Sequence, residues 1–139
     1  MSLLHYETFE HEADIGIRGF GRTVEESFEH AAAALYSVMV NVALVEPKEK
    51  RTIIVSAPDN ELLLVEWLNA LLSLSDVERM VFSRFEVSID GGSLMGSAWG
   101  EPLDRDRHEA AVEVKGATYH MLSVRAQDGG YVAECVVDV

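Results

Sequence analysis

The chain is poor in cysteine, proline and positive charge, and each shortage closes off a class of architecture or function. One cysteine, Cys135, stands among 139 residues. No internal disulfide can form, and a zinc site built from several thiolates is excluded. Cys135 lies between apolar neighbours and reads as a small buried hydrophobe. With three prolines and no low-complexity tract, nothing marks a linker, so residues 1–139 are expected to form one domain. Lysine and arginine total 11 against 24 acids, a net charge of −13. A field of that sign repels phosphate backbones, so direct, non-specific nucleic-acid binding is not expected. A metal cation or a basic protein partner fits better, and simple solubility accounts for the charge as well. No apolar run approaches the roughly 20 residues needed to span a membrane. The opening Met1-Ser2-Leu3-Leu4-His5 lacks a basic segment followed by an apolar stretch. The expected location is the cytoplasm.

What is present is a chain rich enough in apolar residues, at 48%, to fold around a core. Tyr6 to Glu10 and Ile15 to Phe20 read as strands, the second with glycines that permit close backbone approach. Thr23-Val24-Glu25-Glu26 is a capping box. The helix behind it runs to about Val40, with Val24, Phe28, Ala31, Ala32, Leu35 and Met39 on one stripe. Lys50 to Ala57 reads as a strand. Pro58-Asp59-Asn60 then caps a second helix from about Glu61 to Ser75, apolar on nearly every face and so expected to be buried, or to meet a partner along part of its length. Val81 to Ile89 and Leu94 to Trp99 form a hairpin about Asp90-Gly91-Gly92. Gly100 to His108 is a polar loop. Ala111 to Val114 and Tyr119 to Ala126 look extended, and Gln127-Asp128-Gly129-Gly130 turns into a last strand, Tyr131 to Val137. The pattern predicts an α+β domain, with two helices packed on one face of an antiparallel or mixed β-sheet.

Candidate chemistry concentrates at the strand ends. Asp138 and the main-chain carboxylate of Val139 follow the last strand, and Asp14 precedes the second. If those strands are neighbours, three carboxylates converge, and their repulsion is relieved by a divalent cation, calcium or magnesium by ligand hardness. His11 and Asp14 stand three apart, as possible ligands or as a capped turn with a histidine beneath it. The five histidines form no His-x-His or His-x-x-x-His pair, which argues against an all-histidine metal site. His30 lies on the polar side of the first helix and is expected to be solvated. His108, with Glu101, Asp104 and Asp106, forms an acid–base pair or, on the plainer reading, a solvated loop. Lys115, in an apolar–polar run, is either an ammonium for a partner's acid or phosphate, or an edge lysine that discourages aggregation. Serine-nucleophile, phosphate-loop and dinucleotide signatures are missing.

Taken in order, several stretches resemble the archease family. They are His11-Glu12-Ala13-Asp14-Ile15-Gly16-Ile17, Thr23 to Glu29, Val45-Glu46-Pro47, the Leu62 to Leu72 helix with Glu66-Trp67-Leu68, Gly100-Glu101, Glu113 to His120, and Val137-Asp138-Val139. The ordered set spans the chain and is specific where each piece alone is weak. The resemblance implies an accessory protein of the RtcB-type tRNA-splicing RNA ligase, not itself an enzyme. It would speed guanylylation of the ligase and sustain multiple turnovers. It further implies a metal site at Asp14, Asp138 and Val139, with Glu46 and Lys115 as function-critical residues. Two positions depart from the family pattern: Glu12 replaces a usual threonine, and Arg22 an acid often found after the strand. The residues alone leave two alternatives: a metal-dependent hydrolase using His108 or His120 with the same acids, and a general chaperone or scaffold using the apolar second helix.

Overall fold

Alternation of large and small residues on the strands lets two helices approach two sheets closely, and this sets the architecture. The computed structural model describes residues 5–139; the segment 1–4, read above as carrying no export signal, lies outside the described residues. Strands β1 (Tyr6–His11) and β2 (Asp14–Gly21) lead into helix α1 (Val24–Met39). After a 3₁₀ turn at Val42–Leu44 come β3 (Glu49–Ser56) and helix α2 (Asn60–Glu78). Then follow β4 (Met80–Asp90), β5 (Ser93–Pro102), β6 (Gly116–Ala117), β7 (Ser123–Gln127) and β8 (Gly130–Asp138). The class is α+β with every strand pair antiparallel.

The strands divide between two sheets, a partition that strand patterns cannot reveal. One runs β1-β2-β8-β6, with β7 also on β8; the other runs β3-β5-β4. Each turns one face to the helices. Helix α1 packs on β2 and β8 of the first sheet and on β4 of the second, while α2 packs mainly on the second sheet and on β6.

Local chemistry explains the helix ends. The Thr23 hydroxyl accepts from the Glu26 amide at 3.0 Å, and the Glu26 carboxylate accepts from the Arg22 amide at 3.1 Å. Asp59 accepts from the Leu62 amide at 2.8 Å, and Arg79, in the left-handed region, ends α2. Phe28, Ala31, Ala32 and Leu35 are fully buried, each large one contributing about 1.5–3 kcal/mol. The apolar α2 is core: Leu63, Leu64, Trp67, Leu68 and Leu71 are buried, and the Trp67 indole donates to the Phe28 carbonyl at 3.1 Å. Cys135 is fully buried, as expected, and burial pushes its thiol up to about 12.

Two extended-looking segments differ from expectation. Ala111 to Val114 pairs with no strand; the Ala111 amide donates instead to the Met39 carbonyl at 2.8 Å, at the end of α1. Of the 119–126 run only the part from Ser123 onward is strand, within β7, because Met121 adopts a positive φ of 55° and turns the chain.

Close approach matters most at Gly19, on the face of β2 toward α1. A Cβ there would lie 2.2 Å from the Ala31 nitrogen and 2.3 Å from the Ser27 carbonyl oxygen, both backbone atoms that cannot swing aside. Gly19→Ala should therefore cost about 3 kcal/mol of stability. Denaturant unfolding tests this, and an unchanged midpoint would show that α1 does not rest on β2 as described.

Candidate metal centre

Strands β2 and β8 pair from Ile15↔Val137 to Gly21↔Tyr131. The next step of that register sets Asp14, the first residue of β2, across from Asp138, the last of β8. Directly opposed residues of an antiparallel pair share a face. Ile15 and Val137 point toward the core side, so the two aspartates point away from it. The Val139 amide donates to Asp14 Oδ1 at 3.3 Å. Both ends of the pairing thus meet, and Asp14, Asp138 and Val139 are brought together.

Lys115 joins them through the backbone. Its amide donates to the Asp138 carbonyl at 2.7 Å, and the next residue, Gly116, pairs with Asp138. From the other side, Asn69 on α2 grips Ala117, accepting from its amide at 2.8 Å. The Lys115 side chain is exposed, beside a cleft lined by Asn69, Ser73, Asp76 and Glu113.

The donor chemistry fits a hard divalent cation. Asp14 is half-buried and Asp138 exposed. Among the described residues the Asp138 carboxylate makes no hydrogen bond or ion pair, and no three His, Cys, Asp or Glu side chains are grouped to hold a metal. Two carboxylates alone are a sparse site, so oxygens of Val139 and water are needed to fill a calcium or magnesium shell of six or more.

Glu46 lies elsewhere. It precedes β3, its carboxylate pairs with Lys48 at 2.8 Å, and among the described residues no contact links it to Asp14 or Asp138. Its amide is held by a network that corrects the solvated-loop reading of residues 100–108. His108 is fully buried, and Glu101 is 4% exposed. His108 Nδ1 accepts from the Asp104 amide at 3.0 Å, so Nε2 carries the proton and donates to Glu101 Oε2 at 3.0 Å. The same oxygen accepts from the Glu46 amide at 2.7 Å, and Arg107 donates to Oε1 at 2.6 Å. Loop polarity concealed this burial. The Arg107 guanidinium and the bonds from Glu46 and His108 hold the Glu101 carboxyl down at about 2, against the opposing effect of burial.

His30 also departs from its solvated reading. His30 is half-buried, its Nδ1–H donating to the Phe20 carbonyl, and His5 stacks on its ring. His11 Nε2 and His120 Nε2 stand 3.2 Å apart. No local spacing could have announced that pair, since 109 residues separate its members.

A family model described as the Archease protein family (MTH1598/TM1083) matches residues 6–139. The chain belongs to the archease family. It is 44% identical over 136 residues to an archease of Sulfurisphaera tokodaii, with 96% of this chain and 98% of that one covered. It is 45% identical over 139 residues to one of Pyrococcus abyssi, with the same coverage. Among solved structures, Methanobacterium thermoautotrophicum protein 1598 matches with a TM-score of 0.85 at 37% identity, covering 97% of this chain and 99% of that one. A Thermotoga maritima archease, described as a possible chaperone, shares the fold with a TM-score of 0.64 at 19% identity, covering 96% of each chain.

Within this archease fold, the Glu101 network predicts a pH signature. A carboxylate depressed from the usual 4.5 to about 2 stabilises the fold above 4.5, and that contribution fades as pH falls toward 2. Glu101→Gln should be less stable than the parent at neutral pH, with the gap closing between pH 4.5 and 2. Thermal unfolding across that range checks it.

Proposed function

We propose that the chain acts as an accessory protein of an RtcB-type RNA ligase, promoting guanylylation and repeated turnover in tRNA splicing and RNA repair, with no catalysis of its own. In this reading Asp14, Asp138 and the oxygens of Val139 hold calcium or magnesium, while Glu46 and Lys115 meet the ligase. The observation that carries it is the convergence of Asp14, Asp138 and Val139 at paired strand ends, with Lys115 tied to Asp138, in a chain of the archease family.

A divalent ion bound there would supply charge neutralisation to a nucleotide triphosphate. The protein's own part is geometric and electrostatic. The β2–β8 pairing sets Asp14 and Asp138 on one face, and β6, gripped by Asn69, ties the Lys115 backbone to Asp138 while the Lys115 side chain borders the cleft against α2. The Glu101 network fixes the backbone at Glu46. A surplus of 13 negative charges steers the chain toward a basic RNA-binding cleft on the ligase. RNA would then compete for that cleft, and the complex would be transient. The cytoplasm is the proposed location; among the described residues no helix is long and apolar enough to cross a membrane.

The two alternatives rest on less of the structure. A hydrolase using His108 would need a side chain that is fully buried and occupied by Glu101, which leaves that reading the exposed His120 alone. A chaperone using the apolar helix would need surface that α2 spends in the core.

Asp138→Ala should abolish stimulation of ligase guanylylation while leaving the unfolding midpoint in metal-free buffer little changed, since Asp138 is exposed. Normal stimulation by that variant would refute the carboxylate site. Lys115→Ala tests the partner contact: full stimulation would reduce Lys115 to an edge lysine.

A further inference from the structure

The imidazoles on the outer face of the first sheet have no part in that reading. His11 and His120 approach through their Nε2 atoms at 3.2 Å, with ring planes at 60°. Two nitrogens about 2.0–2.1 Å from one ion, at tetrahedral or right angles, stand about 2.9–3.4 Å apart. The observed separation is that of an N–H···N hydrogen bond between the two rings, and it equals the spacing of two ligands sharing a metal. Both side chains are placed by backbone structure. His11 ends β1 directly opposite Asp14, so the two share a face. His120 sits in the turn before β7, where its amide donates to Thr118 Oγ1 at 3.2 Å and its carbonyl accepts from the Val136 amide at 3.0 Å. Thr118 closes the clamp, donating to the Val136 carbonyl from both its amide at 3.0 Å and its hydroxyl at 2.7 Å. The surroundings are anionic: Asp14 is the cross-strand neighbour, and Glu12 follows His11 in the exposed turn.

We propose that His11 and His120 form a second cation site, for a borderline divalent ion of the zinc, cobalt or nickel class. Water completes its shell, and Asp14 is the adjacent anion. Imidazole favours such ions, whereas carboxylate and main-chain oxygens favour calcium, magnesium or manganese. The face therefore carries two donor sets of different hardness side by side, nitrogen at His11 and His120, oxygen at Asp14, Asp138 and Val139. The assignment rests on side-chain geometry alone and is independent of the ligase reading.

The test titrates metal-free protein with Co²⁺, following the visible absorption that changes when nitrogen replaces water, with circular dichroism as the check on folding. The parent should bind one ion saturably. His120→Ala, a change at an exposed residue, and His11→Ala should each weaken binding at least about tenfold, the scale on which even outer-shell partners act. His5→Ala, which disrupts the other imidazole contact, at 4.7 Å between the His5 and His30 rings, should leave binding unchanged, and saturating Ca²⁺ should not displace the Co²⁺. The proposal is overturned if the parent shows no saturable change, or if folded His120→Ala binds Co²⁺ as the parent does. It is equally overturned if Asp138→Ala removes a signal that His120→Ala retains, because the ion would then sit on oxygen.

Discussion

The antiparallel pairing of β2 with β8 joins the two ends of the described chain, and the candidate chemistry depends on it. Along that ladder Ile17 faces Cys135, and both are fully buried. The hydrophobic face holds the register against slippage, since a shift of one residue would turn every side chain over. The same register forces Asp14 and Asp138 onto the opposite face. Two unit charges 4 Å apart repel by about 1 kcal/mol in water and about four times that at a partly buried site. A cation held between two such carboxylates would turn repulsion of that kind into attraction. Core packing on one side of the strands thus decides which carboxylates share the other.

A second constraint acts on the other sheet. Glu101, on β5, gathers the Glu46 amide, Arg107 and the buried His108 onto one carboxylate. Breaking one member of such a network leaves the others buried and unsatisfied, so the loops carrying Glu46 and Arg107 are held as a unit. The function-critical residues implied by the family resemblance therefore fall into two groups. Asp14, Asp138, Val139 and Lys115 are organised by the first sheet, and Glu46 by the loop in front of the second. A partner that meets both must cover a broad surface.

Much of this was legible in the sequence where the signal is local. The Thr23 cap, the stripe through Phe28, Ala31 and Leu35, the Asp59 cap and the Asp90-Gly91-Gly92 hairpin follow from spacing and turn chemistry. The convergence of Asp14 with Asp138 needed one long-range assumption, the adjacency of β2 and β8, which the structure contains. What could not be read was partnership across distance. The strands sort into two sheets, His108 is buried beneath polar neighbours that look solvated, and His11 meets His120 across 109 residues. Composition describes a loop by its average, whereas burial depends on which carboxylate the loop closes over.

Mn²⁺ is a hard ion with the same oxygen preference, and it broadens nearby amide resonances through its unpaired electrons. Added in substoichiometric amounts to the isotope-labelled protein, it should first erase the signals around Asp14, Asp138, Val139 and the Lys115–Gly116 segment. Broadening centred elsewhere, with those four regions left sharp, would contradict the account.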